Sequence, residues 1–220
     1  MTKIEQVSGV KQHTVYKVEG KRVPGTTTII GILEKPFLKV WANQIGLQGI
    51  ELNKYVDKLA QIGTLAHLMI ECHCLGADLD LNAYSAEQIS LAENAYISFL
   101  EWERDKEVEY IGNEMVLTSP SLLYGGTIDI YCKVNGVLTL ADIKTAKAVY
   151  PEMFVQLAAY KHLLEENGYP VHDTRILRVG RDESEGFEDC HKPDLMAHWE
   201  LFKCLRQAYE LQKKINRKAG

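Results

Sequence analysis

The sequence lacks any apolar run of about 18 or more residues, so we predict no membrane-spanning helix. It also lacks Pro/Gly/Ser-rich linkers, internal repeats and low-complexity tracts, and these absences predict one domain over residues 1–220. Cysteines are few and odd in number, five in all. Residues 1–10 do not have the profile of a signal peptide. Together these features predict reduced thiols in an intracellular, cytoplasmic protein.

An excess of positive charge is also missing. Lys and Arg number 25 against 30 Asp and Glu, which gives a net charge of −5. The surface as a whole therefore does not attract polyanions. This excludes a protein that binds nucleic acid mainly by non-specific neutralisation of its phosphates. Any nucleic-acid chemistry must come from a local basic track or from a bound metal ion. Hydrophobic residues make up 46% and charged residues 25%, as in an ordinary globular protein.

Three common catalytic and nucleotide-binding motifs do not occur. There is no Gly-rich loop followed by Lys-Ser/Thr, no His-Glu-x-x-His and no Gly-x-Ser-x-Gly. Paired Cys-x-x-Cys spacing, which is typical of structural zinc sites, is absent as well. The sequence therefore gives no support to a P-loop nucleotidase, a zincin or a serine hydrolase.

Hydrophobic periodicity divides the chain into a helical N-terminal part, about residues 26–107, and a sheet-containing core, about residues 108–180. Thr26–Thr28 are predicted to begin a helix and to cap its free N–H groups. The other predicted helices cover residues 38–46, 53–75, 86–107, 151–167 and 197–218, and the predicted strands cover 109–117, 127–134, 137–144 and 174–179. This order predicts a mixed α/β fold.

The clearest local signal is Asn135-Gly136 between two alternating apolar runs, which predicts a tight hairpin. A two-residue loop pairs Val134 with Val137 and places Asp129 directly opposite Asp142. Side chains that face each other in this way have Cβ atoms about 4.5–5.5 Å apart. Lys144 points to the same face as Asp142, because strands have a period of two.

Two facing carboxylates in apolar surroundings need a partner, or their pKa values rise. A divalent cation is a natural partner, since Mg²⁺ is often held by one or two carboxylates together with substrate phosphates. The alternative is a surface hairpin in which Asp129 and Asp142 are merely solvated and Lys144 offsets their charge. The hairpin by itself leaves both interpretations open.

Two helical spacings favour the metal site. Gln156 and Tyr160 lie four residues apart, on one face of the helix that follows the Lys144 strand. His67 and Glu71 have the same spacing on an earlier helix, so His67 is a candidate metal ligand and Glu71 a candidate support for it. A lone helical histidine is also compatible with simple packing.

At this point the chain resembles the PD-(D/E)XK nuclease superfamily. The resemblance is carried by Asp129, then Asp142-Ile143-Lys144, then Gln156-x-x-x-Tyr160, with His67 in a Gly-Thr-x-x-His-x-x-x-Glu helix. The likeness is to its RecB/Cas4-like branch, which includes phage-type exonucleases and the mitochondrial genome maintenance exonuclease. It departs from many members in having Asp142 where they have Glu and Ile128 where they have Pro. The implied fold is a restriction-endonuclease-like mixed central sheet flanked by helices.

The resemblance implies a role for each matched residue. Asp129, Asp142, the backbone carbonyl of Ile143 and His67 would hold Mg²⁺ or Mn²⁺. Lys144 would orient the attacking water or stabilise the transition state. Gln156 and Tyr160 would steady Lys144, a metal-bound water or the nucleic-acid backbone. Whether Glu71 or Glu114 supports the site is left open.

Contacts to nucleic acid are expected outside the metal site. The Val23–Ile30 segment, followed by Trp41, resembles the N-terminal segment of the mitochondrial exonuclease group, so Thr28 and Trp41 are candidate contacts. Lys147 belongs to a short basic track beside Lys144. The alternatives are that Trp41 belongs to the core and that Lys147 lies on an ordinary solvated face.

The resemblance therefore implies a Mg²⁺- or Mn²⁺-dependent deoxyribonuclease, an exonuclease rather than an endonuclease, acting in recombination, repair or phage replication. No iron–sulfur cluster is expected, because no cysteine precedes Cys72 and the late cysteines are only Cys190 and Cys204. The expected partner is DNA, single-stranded or as duplex ends, with a homo-oligomer or a recombination protein left open. Two alternatives remain: a DNA-binding or assembly module without turnover, and a metal-dependent hydrolase of another phosphate ester.

Overall fold

The structure is a computed structural model that describes residues 14–33 and 35–218. Residues 1–10, from which we predicted no export signal, lie outside the described residues. The elements in chain order are β1 (Lys17–Val18), β2 (Lys21–Arg22), α1 (Thr26–Ile30), α2 (Pro36–Leu47), α3 (Leu52–Leu75), α4 (Ala86–Arg104), β3 (Val108–Ser119), β4 (Tyr124–Val134), β5 (Val137–Lys144), α5 (Pro151–Glu166), β6 (Asp173–Val179), β7 (Phe187–His191) and α6 (Met196–Lys218). None of the helices described is both long enough and apolar enough to cross a bilayer.

Five strands form a mixed sheet in the order β3-β4-β5-β6-β7. Only β5 and β6 are parallel, and α5 makes the crossover between them, as parallel neighbours require. One core cluster packs α1, α5 and α6 against the sheet, and a second packs α3 and α4 against it. The predicted mixed α/β sheet flanked by helices is therefore confirmed.

The predicted hairpin register is confirmed from Val134–Val137 to Ile130–Ala141. Asn135 and Gly136 have φ values of 50° and 81°, the left-handed pair that a type I′ turn requires. Because the turn fixes this register, Asp129 and Asp142 occupy the next facing positions along the two strands. The hairpin therefore delivers both carboxylates to one point of the sheet.

Three local expectations differ from the structure. Thr26 does begin α1, but the N-cap residue is Gly25, so no side chain caps the helix. The Thr26 hydroxyl instead donates to the Gly125 carbonyl oxygen (3.0 Å), so its predicted capping role is wrong. Helix α4 ends at Arg104 rather than at residue 107. The fifth strand, β7, was not predicted because its sequence Phe-Glu-Asp-Cys-His is mostly polar and does not alternate.

The turn can be tested with a matched pair of glycine substitutions. Gly136→Ala forces a Cβ onto a left-handed residue, so we expect the free energy of unfolding to fall by about 1–2 kcal/mol. Gly46→Ala lies inside α2 with no atom near the new Cβ, so the same substitution there should stabilise the protein by roughly 0.5–1 kcal/mol. Urea denaturation measures both values. A Gly136→Ala protein as stable as wild type would contradict the assigned turn.

Candidate active site

The end of β5 and the first turns of α5 bring four predicted residues together. Asp142 is fully buried, and its Oδ2 atom lies 2.5 Å from Lys144 Nζ. Gln156 Nε2 donates a hydrogen bond to the Tyr160 hydroxyl oxygen (2.8 Å) and reaches Asp142 Oδ1 at 3.5 Å. Helix α5 therefore places the Gln156 amide and the Tyr160 phenol beside the buried Asp142–Lys144 ion pair.

Burial raises the pKa of the Asp142 carboxyl to about 6. The Lys144 ammonium opposes this rise, and the charge of the nearby Asp129 adds to it. For Lys144, burial lowers the pKa, but the attraction of Asp142 and Asp129 outweighs burial and leaves the pKa above its usual value. Burial, reinforced by both carboxylates, raises the pKa of Tyr160 well above 10. Lys144 is therefore a cation at neutral pH and Tyr160 a neutral phenol.

Asp129 is held by the neighbouring strand of the hairpin. Its Oδ2 atom accepts a hydrogen bond from the Ile143 backbone N–H (2.8 Å), and its Oδ1 atom lies 3.8 Å from His67 Nδ1. One oxygen is thus used to fix the side chain, and the other faces helix α3. The Ile143 N–H takes part directly in orienting Asp129.

Glu114 on β3 joins this group through an irregularity of the sheet. Met115 pairs with Ile128 and Asn113 with Ile130, so Glu114 and Asp129 lie between these two pairs on neighbouring strands. Glu114 has a φ of 47°, the left-handed region that non-glycine residues rarely adopt. Such strained residues cluster at functional sites, where the surrounding structure holds them in place.

Strand β4 changes the face of the sheet to which its side chains point near Asp129. Ile128 packs in the core beside α5, whereas Ile130 packs in the core beside α3 and α4. In a regular strand both side chains would lie on the same face. The switch falls at Asp129, the residue between them, so the change of face coincides with the residue that carries the site.

The structure brings His67, Glu114 and Asp129 together into one group, in which a donor atom of each lies within 4.8 Å of the other two. Two carboxylates and an imidazole suit Mn²⁺, and the carboxylates also suit Mg²⁺. Among the described residues, the buried Oδ2 of Asp142 has no hydrogen bond of regular geometry, and it lies against the Lys144 ammonium. These donors therefore fit a divalent cation.

Two of the predicted metal ligands, His67 and Asp129, belong to this group, and Glu114 is its third member. Glu114, which sequence reasoning left as an open question, lies with His67 and Asp129, and Asp142 lies next to this group, paired with Lys144. Glu71 is half-buried and does not belong to the three-residue group. The left-handed backbone at Glu114 has no signal in the sequence.

Close packing of α3 on the end of β5 sets the position of His67. A Cβ placed on Gly63 would lie 2.6 Å from the Thr145 hydroxyl oxygen, so a larger residue here would require the Thr145 side chain or the helix to move. His67 follows Gly63 by four residues and therefore lies on the same face of α3. The contact joins the helix that carries His67 to the strand that carries Lys144.

Among the described residues, one cleft includes Glu114 of the cluster, and another lies beside Thr145, the residue after Lys144. The first has a volume of about 820 Å³, and its lining includes Glu114, Thr28, Arg22 and Lys213. The second, of about 540 Å³, begins at Gly63 and Thr145 and includes Trp41 and Lys147 in its lining. Each of the three predicted nucleic-acid contacts, Thr28, Trp41 and Lys147, thus lines one of the two clefts.

No protein-family model matches the chain, and no curated protein matches it. Among solved structures, the chain is similar to the crystal structure of an alkaline exonuclease (LHK-Exo) from Laribacter hongkongensis. The sequences are 14% identical, the match covers 70% of this chain and 84% of that chain, and the TM-score is 0.35. Membership of the RecB/Cas4-like branch stays a prediction.

The electrostatic coupling within the site can be tested by titration. Lys144→Met removes the charge that lowers the Asp142 pKa, so we expect this pKa to rise above about 6. Asp129→Asn removes a charge that raises it, so the pKa should fall. Carboxyl ¹³C NMR of metal-free protein measures both shifts. Lys133→Met on β4 is the control and should leave the Asp142 pKa unchanged; an unchanged or lower value in Lys144→Met would contradict the ion pair.

Proposed function

We propose that this protein is a divalent-metal-dependent nuclease that hydrolyses phosphodiester bonds in DNA. The supporting observation is the convergence of the His67, Glu114 and Asp129 donor group with the buried Asp142–Lys144 pair. Acidic donors beside a fixed cation can bind both a metal ion and the phosphate that the metal attracts. An exonuclease is proposed over an endonuclease because of the resemblance of the sequence motifs.

His67, Glu114 and Asp129 would hold Mg²⁺ or Mn²⁺, with Asp142 and the Ile143 carbonyl beside them as further oxygen donors. A bound ion of this kind polarises a phosphoryl oxygen and lowers the pKa of a water molecule. The Ile143 N–H keeps Asp129 oriented by its hydrogen bond to Oδ2. The protein thus arranges its ligands before the substrate arrives.

Lys144 supplies the fixed positive charge. The attraction of Asp142 and Asp129 raises the pKa of Lys144, so its ammonium is protonated in the metal-free protein. A preorganised charge directed at the scissile phosphate stabilises the negative charge that grows in the transition state. Gln156 links Asp142 to Tyr160 and so holds the carboxylate that positions Lys144.

The net charge of −5 disfavours DNA binding, but cationic side chains lie close to the proposed site. Arg22 and Lys213 line the first cleft beside Glu114, and Lys147 lines the second. The proposed DNA path therefore carries local positive charge. A place in recombination, repair or phage replication, alone or with a partner protein, belongs to the same proposal.

The test is digestion of single- and double-stranded DNA, labelled at the 5′ or the 3′ end, in Mg²⁺, Mn²⁺ or EDTA. We expect metal-dependent loss of label by wild type and none in EDTA. Lys144→Ala should lower the rate by about 10²–10³-fold or more, because it removes the fixed charge at the phosphate. The label that is lost first gives the polarity.

Lys133→Ala is the matched control, since this lysine lies on β4 with Glu109 as its partner and touches neither cleft. It should cleave at the wild-type rate. Asp129→Asn with full Mg²⁺-dependent activity would show that the site is wrongly assigned. Folded wild type without cleavage in any metal would favour a binding module instead.

A further inference from the structure

The second cleft has an aromatic lining that the chemistry at the metal cluster does not use. Trp41 from α2 and Tyr55 from α3 have ring centroids 6.2 Å apart with their planes inclined by 42°. Tyr150, just before α5, also lines the cleft. All three side chains are half-buried, so part of each ring faces the cleft.

The mouth of this cleft exposes further apolar side chains. Leu38 is 43% exposed and Val56 is 42% exposed, and both line it. A group of apolar side chains left open to solvent in a cleft marks a surface that binds something. Lys147 lies at the same rim, is exposed, and forms no ion pair within the described part of the chain. The cleft thus combines apolar side chains with the charge of Lys147, while Lys35 and Arg181, which also line it, are ion-paired with Glu152 and Glu185.

Its position links the cleft to the proposed reaction. Gly63 and Thr145 line it, and Thr145 directly follows Lys144 in the chain. A strand whose phosphate reaches Lys144 can therefore place a neighbouring base in the cleft. The volume of about 540 Å³ lies within the range of about 300–1,000 Å³ typical of small-ligand pockets. This size suits a nucleotide and does not suit a double helix.

We infer that the second cleft is a base-binding subsite, in which Trp41 and Tyr55 stack an unpaired nucleobase next to the phosphate at Lys144. This inference rests on the proposed function, because it takes DNA as the substrate. Stacking on aromatic rings is tolerant of base identity, since every base has a π-face. The subsite therefore selects unpaired DNA over duplex without reading sequence.

The test compares two ligands of equal length and charge: a short fluorescent oligothymidine and an oligomer with the same backbone in which every base is missing. Binding is measured by fluorescence anisotropy in EDTA, so that no cleavage occurs and the metal-free acidic cluster affects both ligands alike. We expect wild type to bind the base-containing oligomer about 10-fold or more tightly than the abasic one.

Trp41→Ala and Tyr55→Ala should each lower this ratio by about fivefold or more, and Trp41→Phe should restore most of it. Tyr169→Ala is the matched control, an exposed aromatic residue outside both clefts that should leave the ratio unchanged. Circular dichroism checks that each variant is folded.

A wild-type ratio near one would overturn the subsite, and so would a ratio that survives both alanine substitutions. Base-dependent binding lost in Trp41→Ala but accompanied by no metal-dependent cleavage would support the subsite while refuting the nuclease. Cleavage that is equally fast on DNA with and without bases near the cut would support the nuclease and refute the subsite.

Discussion

The hydrogen bond from the Ile143 N–H to Asp129 Oδ2 is the interaction on which the site depends. It joins β4 to β5 just beyond the regular ladder, at the point where β4 changes the face that it presents to the core. With one oxygen fixed in this way, the other faces His67. The Asn135-Gly136 turn sets the register that makes the bond available, so a local turn determines geometry several residues away.

This arrangement is electrostatically unfavourable, because it places two carboxylates close together in a buried position. Asp142 is fully buried with Asp129 nearby, and burial raises its pKa to about 6. Buried carboxylates in mutual repulsion do not stabilise a fold, and perturbed pKa values of this kind cluster at functional sites. Lys144 offsets part of the charge without removing the unpaired lone pairs of Asp142. A purely structural ion pair would not need a third carboxylate, Glu114, held in a left-handed conformation beside it.

Short-range signals explain what the sequence could predict. The Asn-Gly turn determined the hairpin register, and helical spacing placed Gln156 and Tyr160 on one face of α5, where they hydrogen-bond to each other. The sequence could not decide between Glu71 and Glu114 as a supporting residue. The position of Glu114 depends on a positive φ within a strand, which no residue pattern predicts. Strand β7 was missed since its polar residues do not alternate, and the approach of Tyr55 to Trp41 depends on how α2 packs on α3.

Anomalous diffraction from a crystal grown with Mn²⁺ tests the central claim most directly, because it locates the ion rather than inferring it from activity. The account predicts a manganese peak at coordination distance from Asp129 and from at least one of His67 and Glu114, with Asp142 on the same side. A peak elsewhere on the protein, or none at a manganese concentration that supports DNA cleavage, would contradict it.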